Sequence, residues 1–181
     1  RLFRRVPGLV LSVSATTRPR RGDSEVDGRD YHFISEDEFL RWVDEDRFLE
    51  WASFSGHLYG TPKEAVAKEL DAGRDVVLEI ELEGAGQIVK QCPEALMIFV
   101  MPPSLDELER RLRGRKTESD AAVRRRMARA AEELKAVEQG DWAGSRRFDY
   151  VIVNDSINRA ADELVRIVER TREQDEQADS R

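Results

Sequence analysis

At 181 residues, 40% hydrophobic and 37% charged, the chain carries enough apolar content for one folded domain with a core, which excludes collagen-like and disordered classes. Thirty-seven Asp and Glu against 30 Lys and Arg give a formal charge of −7, a field that repels nucleic acid and anionic membrane, so any anion site has to be local. A single cysteine, Cys92, precludes an internal disulfide, no signal-peptide pattern opens the chain and no apolar run reaches the roughly 20 residues of a membrane span, all of which point to a reducing cytoplasm.

In chain order, residues 8–13 form the first strand-like apolar run. Residues 25–61 alternate aromatic segments around one helix and read as a small mixed or antiparallel insertion beside the main sheet. That helix opens at Ser35, with Glu38 three residues on, and the same capping pattern opens helices at Thr61-x-x-Glu64 and Ser104-x-x-Glu107. Pro62 suits the first position of the second, where its missing N–H costs nothing. Further strand-like runs at 76–82, 96–101 and 150–153, with helical segments between them, predict parallel strands covered by helices on both faces and hence an α/β fold. Residues 119–138 read as a long exposed helix bearing Arg124, Arg125, Arg126 and Arg129, and 162–169 belong to a terminal amphipathic helix. No repeat or linker divides the chain.

Four constellations could carry chemistry. The loop from Ser14 to Gly22 combines hydroxyls with Arg18, Arg20 and Arg21, and guanidinium forks match phosphate oxygens bidentately, although solvated surface arginines have the same composition. Glu50 sits in the apolar, aromatic run 48–52, where an unpaired charge is costly, so it needs donors. A guanine edge or a protein arginine would both serve, while Tyr31 and Tyr59 could donate to phosphate or simply pack. Glu79, Glu81 and Glu83 alternate at the carboxyl end of an apolar run, with Glu79 and Glu81 expected on one strand face, where open α/β sheets bind ligands and hard oxygens suit Mg²⁺. Arg110, Arg111, Arg113 and Arg115 could clamp polyphosphate or RNA, or pair with Glu107, Glu109, Glu118, Glu132 and Glu133. His32 and His57 are too isolated for a metal site.

Five blocks, in order, resemble guanylate kinase: Ser12-Val13-Ser14-Ala15-Thr16-Thr17-Arg18, Asp27-Gly28-Arg29-Asp30-Tyr31-His32-Phe33, Phe48-Leu49-Glu50-Trp51-Ala52, Tyr59-Gly60-Thr61 and Val151-Ile152-Val153-Asn154-Asp155. The resemblance runs over residues 10–168 and implies phosphoryl transfer from MgATP to GMP. The implied fold is a P-loop-type parallel sheet flanked by helices, with a small mixed β GMP-binding insertion (about 18–71), a helical lid (about 114–147), a core of 1–17, 72–113 and 148–170, and a frayed tail at 171–181. It assigns Arg18, Arg21, Tyr31 and Tyr59 to the GMP phosphate, and Ser14, Glu50 and Thr61 to guanine. Glu79 goes to the acidic position near the acceptor, where Glu79 and Glu81 would meet Mg²⁺ through water. Arg115 and Arg126 match the lid arginines that, with Arg18, act on the transferring phosphate, and Asn154 matches the residue near adenine. ATP and GMP are the implied partners, with neither nucleic acid nor membrane, and monomer and homodimer both stay open.

The chain departs from the family in lacking a G-x-x-x-x-G-K-[ST] loop, which is expected upstream of Arg1; without it, the chain is expected to bind GMP better than it turns it over. Glu81 stands where the family usually has Asp, Glu83 where it has Gln, and Lys116 where it has Gly, and residues 139–147 are longer than usual. The other reading of the sequence is an inactive guanylate-kinase-like module that binds phosphopeptide or GMP.

Overall fold

A computed structural model describes residues 2–114, 119–140, 142 and 147–179. They form two compact units, one of residues 8–95 with Trp142, the other of 2–7, 96–140 and 147–179.

The first unit contains β1 (Leu9–Leu11), β2 (Ala15–Thr16), β3 (His32–Phe33), α1 (Glu36–Asp44), β4 (Phe48–Phe54), β5 (His57–Pro62), α2 (Lys63–Asp71), β6 (Asp75–Val77) and α3 (Leu82–Gln91). β1 and β6 pair in parallel, Val10 opposite Val76. The aromatic region is a mixed four-stranded sheet in the order β3-β2-β5-β4, with β2 parallel to β3 and antiparallel to β5. α1 begins as its capping pattern predicts, the Ser35 hydroxyl accepting from the Glu38 amide at 3.1 Å. It buries Phe39 completely against Phe48, the rings stacking 4.5 Å apart, with Ala15 beneath and Trp42 and Leu58 at the margin.

Two expectations fail here. Thr61 does not cap α2: it stays in β5, and Pro62 takes the cap position without a side-chain bond. The reason is the sheet: Thr61 stays paired with Glu50 in the β4–β5 ladder, its hydroxyl donating to the buried carboxylate in a charge-assisted bond, and the helix starts only after it. Likewise β6 ends at Val77, so Glu79 and Glu81 share no strand face; they lie in the connection to α3, with Glu81 at its cap and Glu83 in its first turn, where a negative charge meets the helix's positive end. Cys92 closes α3, its amide donating to Ile88 O at 2.7 Å.

The second unit pairs β7 (Ile98–Met101) in parallel with β8 (Tyr150–Val153), and adds α4 (Leu105–Gly114), α5 (Asp120–Gln139) and α6 (Ile157–Asp179). Ile152, fully buried, packs on Ala160 and Ile167 of α6. Ser104 and Ser119 cap α4 and α5, and Gly140 ends α5 with φ +66, a left-handed conformation that glycine adopts freely. The arginines of α4 are paired: Arg110 and Arg111 with Glu107, and Arg113 with Glu109 and Asp120. α6 continues to Asp179, through residues expected to fray, with the Thr171 hydroxyl donating back to Ile167 O. Helical cover is incomplete among the described residues, since Leu11, Val100, Val151 and Val153 are exposed.

Phe39→Ala should cost about 3–5 kcal/mol of stability, because it deletes the centre of a close-packed aromatic stack. Urea unfolding followed by circular dichroism measures it.

Candidate active site

The loop after β2 is tied down by hydroxyls. Thr16 Oγ1 donates to Leu58 O at 3.0 Å and accepts from the Arg18 amide at 3.1 Å, while Thr17 Oγ1 accepts from the Leu58 amide at 2.9 Å. These threonines, part of the expected anion cradle, therefore fasten the loop to β5. Arg18 emerges 8% exposed, far from a solvated surface residue. Its Nη1 donates to Pro19 O (2.7 Å) and Glu25 Oε2 (3.1 Å), its Nη2 donates to Glu25 Oε1 (2.8 Å), and its guanidinium carbon lies 5.4 Å from the Tyr31 ring centre and 5.7 Å from that of Phe33. The Arg21 amide joins in at 2.7 Å from Glu25 Oε2, leaving its side chain exposed.

Tyr31 is delivered by a tight turn. Gly28, at φ +75, donates to Tyr31 O at 2.8 Å; Asp27 accepts from the Phe33 amide, and Asp30 accepts from the Val26 amide and the Arg29 fork. Tyr31 and Tyr59 meet edge to face at 6.0 Å. The Arg18 fork and the Arg21 amide hold the Glu25 carboxyl below the usual range, and Glu25 raises Arg18 in return. Burial pushes the Tyr31 phenol up, helped by the neighbouring Tyr59 and by the charge of exposed Glu79, which places Glu79 in the same electrostatic neighbourhood. Arg18, Arg21, Tyr31, Tyr59 and Glu79 thus share one region organised around Glu25, a residue that sequence reasoning missed. No spacing in the sequence sets it apart from its acidic neighbours Asp23 and Asp27.

On the same sheet Glu50 is 5% exposed and faces Thr61 across the β4–β5 ladder, where the Thr61 hydroxyl donates to Oε1 at 2.6 Å. The partner is thus a threonine and not an arginine. Burial drives the Glu50 carboxyl upward, against the lowering effect of its Thr61 bonds, and the charge of Glu83 adds to the rise. Ser14, half-buried, precedes Ala15, whose pairing with Gly60 carries the register toward Ser14 and Thr61.

In the second unit Arg126 is half-buried on α5. Asn154 follows β8, its amide donating to Met101 O at 2.7 Å, and its buried Oδ1 has no hydrogen-bond partner among the described residues. Arg115 and Lys116 lie outside the described residues. No group of three or more His, Cys, Asp or Glu among the described residues could hold a metal ion on its own. A hollow of about 790 Å³ in the first unit, bordered by Ser12, Arg47 and Lys63, contains none of the candidate residues in its lining. No helix among the described residues is long and apolar enough to cross a membrane.

Thr61→Val should move the Glu50 carboxyl further upward and cost about 1–3 kcal/mol, because it removes a donor from a buried carboxylate. Carboxyl-carbon NMR titration of Glu50 and urea unfolding test the two halves.

The family model described as guanylate kinase matches residues 2–171. The guanylate kinase of Rubrobacter xylanophilus is 52% identical over 91% of this chain and 82% of its own length, and that of a Synechococcus strain (JA-3-3Ab) is 48% identical over 90% and 71%. The crystal structure of guanylate kinase from Anaplasma phagocytophilum superposes with a TM-score of 0.73 at 32% identity, covering 93% of this chain and 78% of that one. Relatives matched at about half of all aligned positions, over nine-tenths of the chain and in a common fold, leave one assignment, and the chain belongs to the guanylate kinase family.

Proposed function

We propose that the chain catalyses ATP-dependent phosphorylation of GMP to GDP in the cytoplasm. The observation that carries this reading is the buried Glu50–Thr61 pair on the sheet that bears Tyr59, with Arg18 in the loop after β2 and Tyr31 just before β3: an acceptor for a base and a cationic, phenolic cluster for a phosphate. A fixed carboxylate accepts from guanine N1–H and N2–H₂, whereas adenine presents a nitrogen lone pair there, so a pair of bonds becomes a repulsion. Ser14 and Thr61 complete the reading of the base, and Arg18, Arg21, Tyr31 and Tyr59 hold the phosphate.

GMP presents an oxygen that is already ionised, so transfer needs no strong general base. That oxygen attacks the γ-phosphorus of ATP, the bond from that phosphorus to the bridging oxygen breaks, and ADP leaves. The protein's task is to align two anions and neutralise the charge between them. Arg18 is ordered for this in advance: Glu25 and Pro19 O occupy three of its five donors, and the Tyr31 and Phe33 ring centres lie 5.4 and 5.7 Å from its guanidinium carbon. Arg115 and Arg126 would meet the transferring phosphate from the lid at 114–147, and Asn154 Oδ1, without a partner among the described residues, suits the amino group of adenine. As the donor set is too sparse to form a metal site by itself, it fits a divalent ion carried in by ATP, with Glu79 and Glu81 contacting its waters; Mg²⁺ would supply charge neutralisation at the phosphates.

Glu50→Gln should narrow the preference for GMP over AMP by roughly 10- to 100-fold, while Arg21→Ala weakens both nucleotides alike. Matching nucleotide profiles for the two variants in titration calorimetry would overturn these roles. Because burial raises the Glu50 carboxyl, GMP affinity should fall in acid at a pH above the ordinary carboxylate range, and Glu50→Gln should lack that limb. Stability carries the opposite sign. A raised folded value makes the ionised form the costly one, so Glu50→Gln should unfold at a higher temperature than the parent at pH 7, with the gap closing as pH falls through the raised value toward the unfolded one.

A further inference from the structure

β4 is an edge strand, and its outward-facing peptide groups would ordinarily be left to solvent. Side chains of α3 take them instead. The Gln87 carboxamide bonds both backbone polar groups of one residue: its Oε1 accepts from the Trp51 amide at 3.1 Å and its Nε2 donates to Trp51 O at 2.7 Å. Gln91 Nε2 donates to Leu49 O at 2.7 Å. Leu49 is the extra residue of a β-bulge, since the register passes from Phe48 opposite Pro62 directly to Glu50 opposite Thr61. Bulges re-aim the neighbouring side chain, and here the residue between the two clamped positions is Glu50.

The third member of this helical stripe, at i, i+3 and i+7, is Gly84. A Cβ at residue 84 would stand 2.3 Å from Glu50 Oε2, so the carboxylate rests directly against the helix backbone. From this geometry we propose that Gln87, supported by Gln91 and Gly84, is a positioning residue for substrate specificity: α3 fixes the bulged strand so that the Glu50 carboxylate stands at one place in front of the base. The proposal rests on the reading of Glu50 as the guanine acceptor. Edge protection alone would need neither a two-point bond at the residue after Glu50 nor a side chain lacking at Gly84. A carboxylate left loose by a few tenths of an ångström would still attract N1–H but would lose the paired geometry that distinguishes a 2-amino purine.

The test compares GMP with IMP, whose base lacks the 2-amino group, by titration calorimetry. Gln87→Met keeps side-chain length and removes both bonds. It should lower the GMP-to-IMP affinity ratio by roughly tenfold, the equivalent of about one net hydrogen bond, while the ratio of GMP to guanosine affinity, which reports on the phosphate end, stays as in the parent. An unchanged GMP-to-IMP ratio, beside a lowered one in Glu50→Gln, would overturn the proposal; an unchanged ratio in Glu50→Gln as well would overturn the guanine reading itself. Gly84→Ala guards against failure to fold, because it adds helix propensity and displaces only the tip of Glu50. It should lower the same ratio, and a parental ratio in that variant also overturns the proposal.

Discussion

Folding this chain requires the burial of a carboxylate that receives a neutral hydroxyl as its side-chain partner. An ionised group at 5% exposure has lost most of its water, and the bonds from Thr61 do not replace it. Much of the surrounding architecture answers that constraint. Phe48, buried on the same strand, seals the sheet against α1, and α3 lies so close that Gly84, with no side chain, faces the carboxylate. A conformation that leaves a charge short of donors is one that a ligand with two adjacent N–H groups stabilises, so the cost in folding becomes selectivity in binding.

The phosphate end follows a different logic. There the charge is already compensated within the protein, Arg18 by Glu25, and the question is orientation. The guanidinium carbon lies 5.4 Å from the Tyr31 ring centre and 5.7 Å from that of Phe33, with its fork held by Glu25. Lysine could supply the charge but not the plane, and would lose both the bidentate pair and the stacking. Ordering the cation before substrate arrives spares the entropy of ordering it afterwards.

Local signals were legible in the sequence where nothing tertiary competed for them. The caps at Ser35 and Ser104 formed as their spacing indicates, as did the strand at 150–153 and the long helix from 120. Thr61 bears the same capping signature and became a strand residue, because the ladder pairs it with Glu50, eleven residues away. The acidic alternation after Val77 looked strand-like by periodicity, yet the chain turned there into a helix whose first turn welcomes negative charge. In the hydroxyl-rich loop expected to cradle an anion, Thr16 and Thr17 fasten the backbone to Leu58. Glu25 and Gln87 were invisible to motif reasoning for one reason: each acts on another residue's orientation, and orientation leaves no trace in spacing along the chain.

The bulge at Leu49 also bears on how this strand can vary. Side chains alternate faces with a period of two, so one residue more or fewer between Arg47 and Glu50 would send the acid to the opposite side of the sheet and bring a hydrophobic residue to the pocket. Sequence drift can exchange neighbours here as long as their number is preserved; an insertion of one codon would erase base reading while leaving every motif residue in the chain.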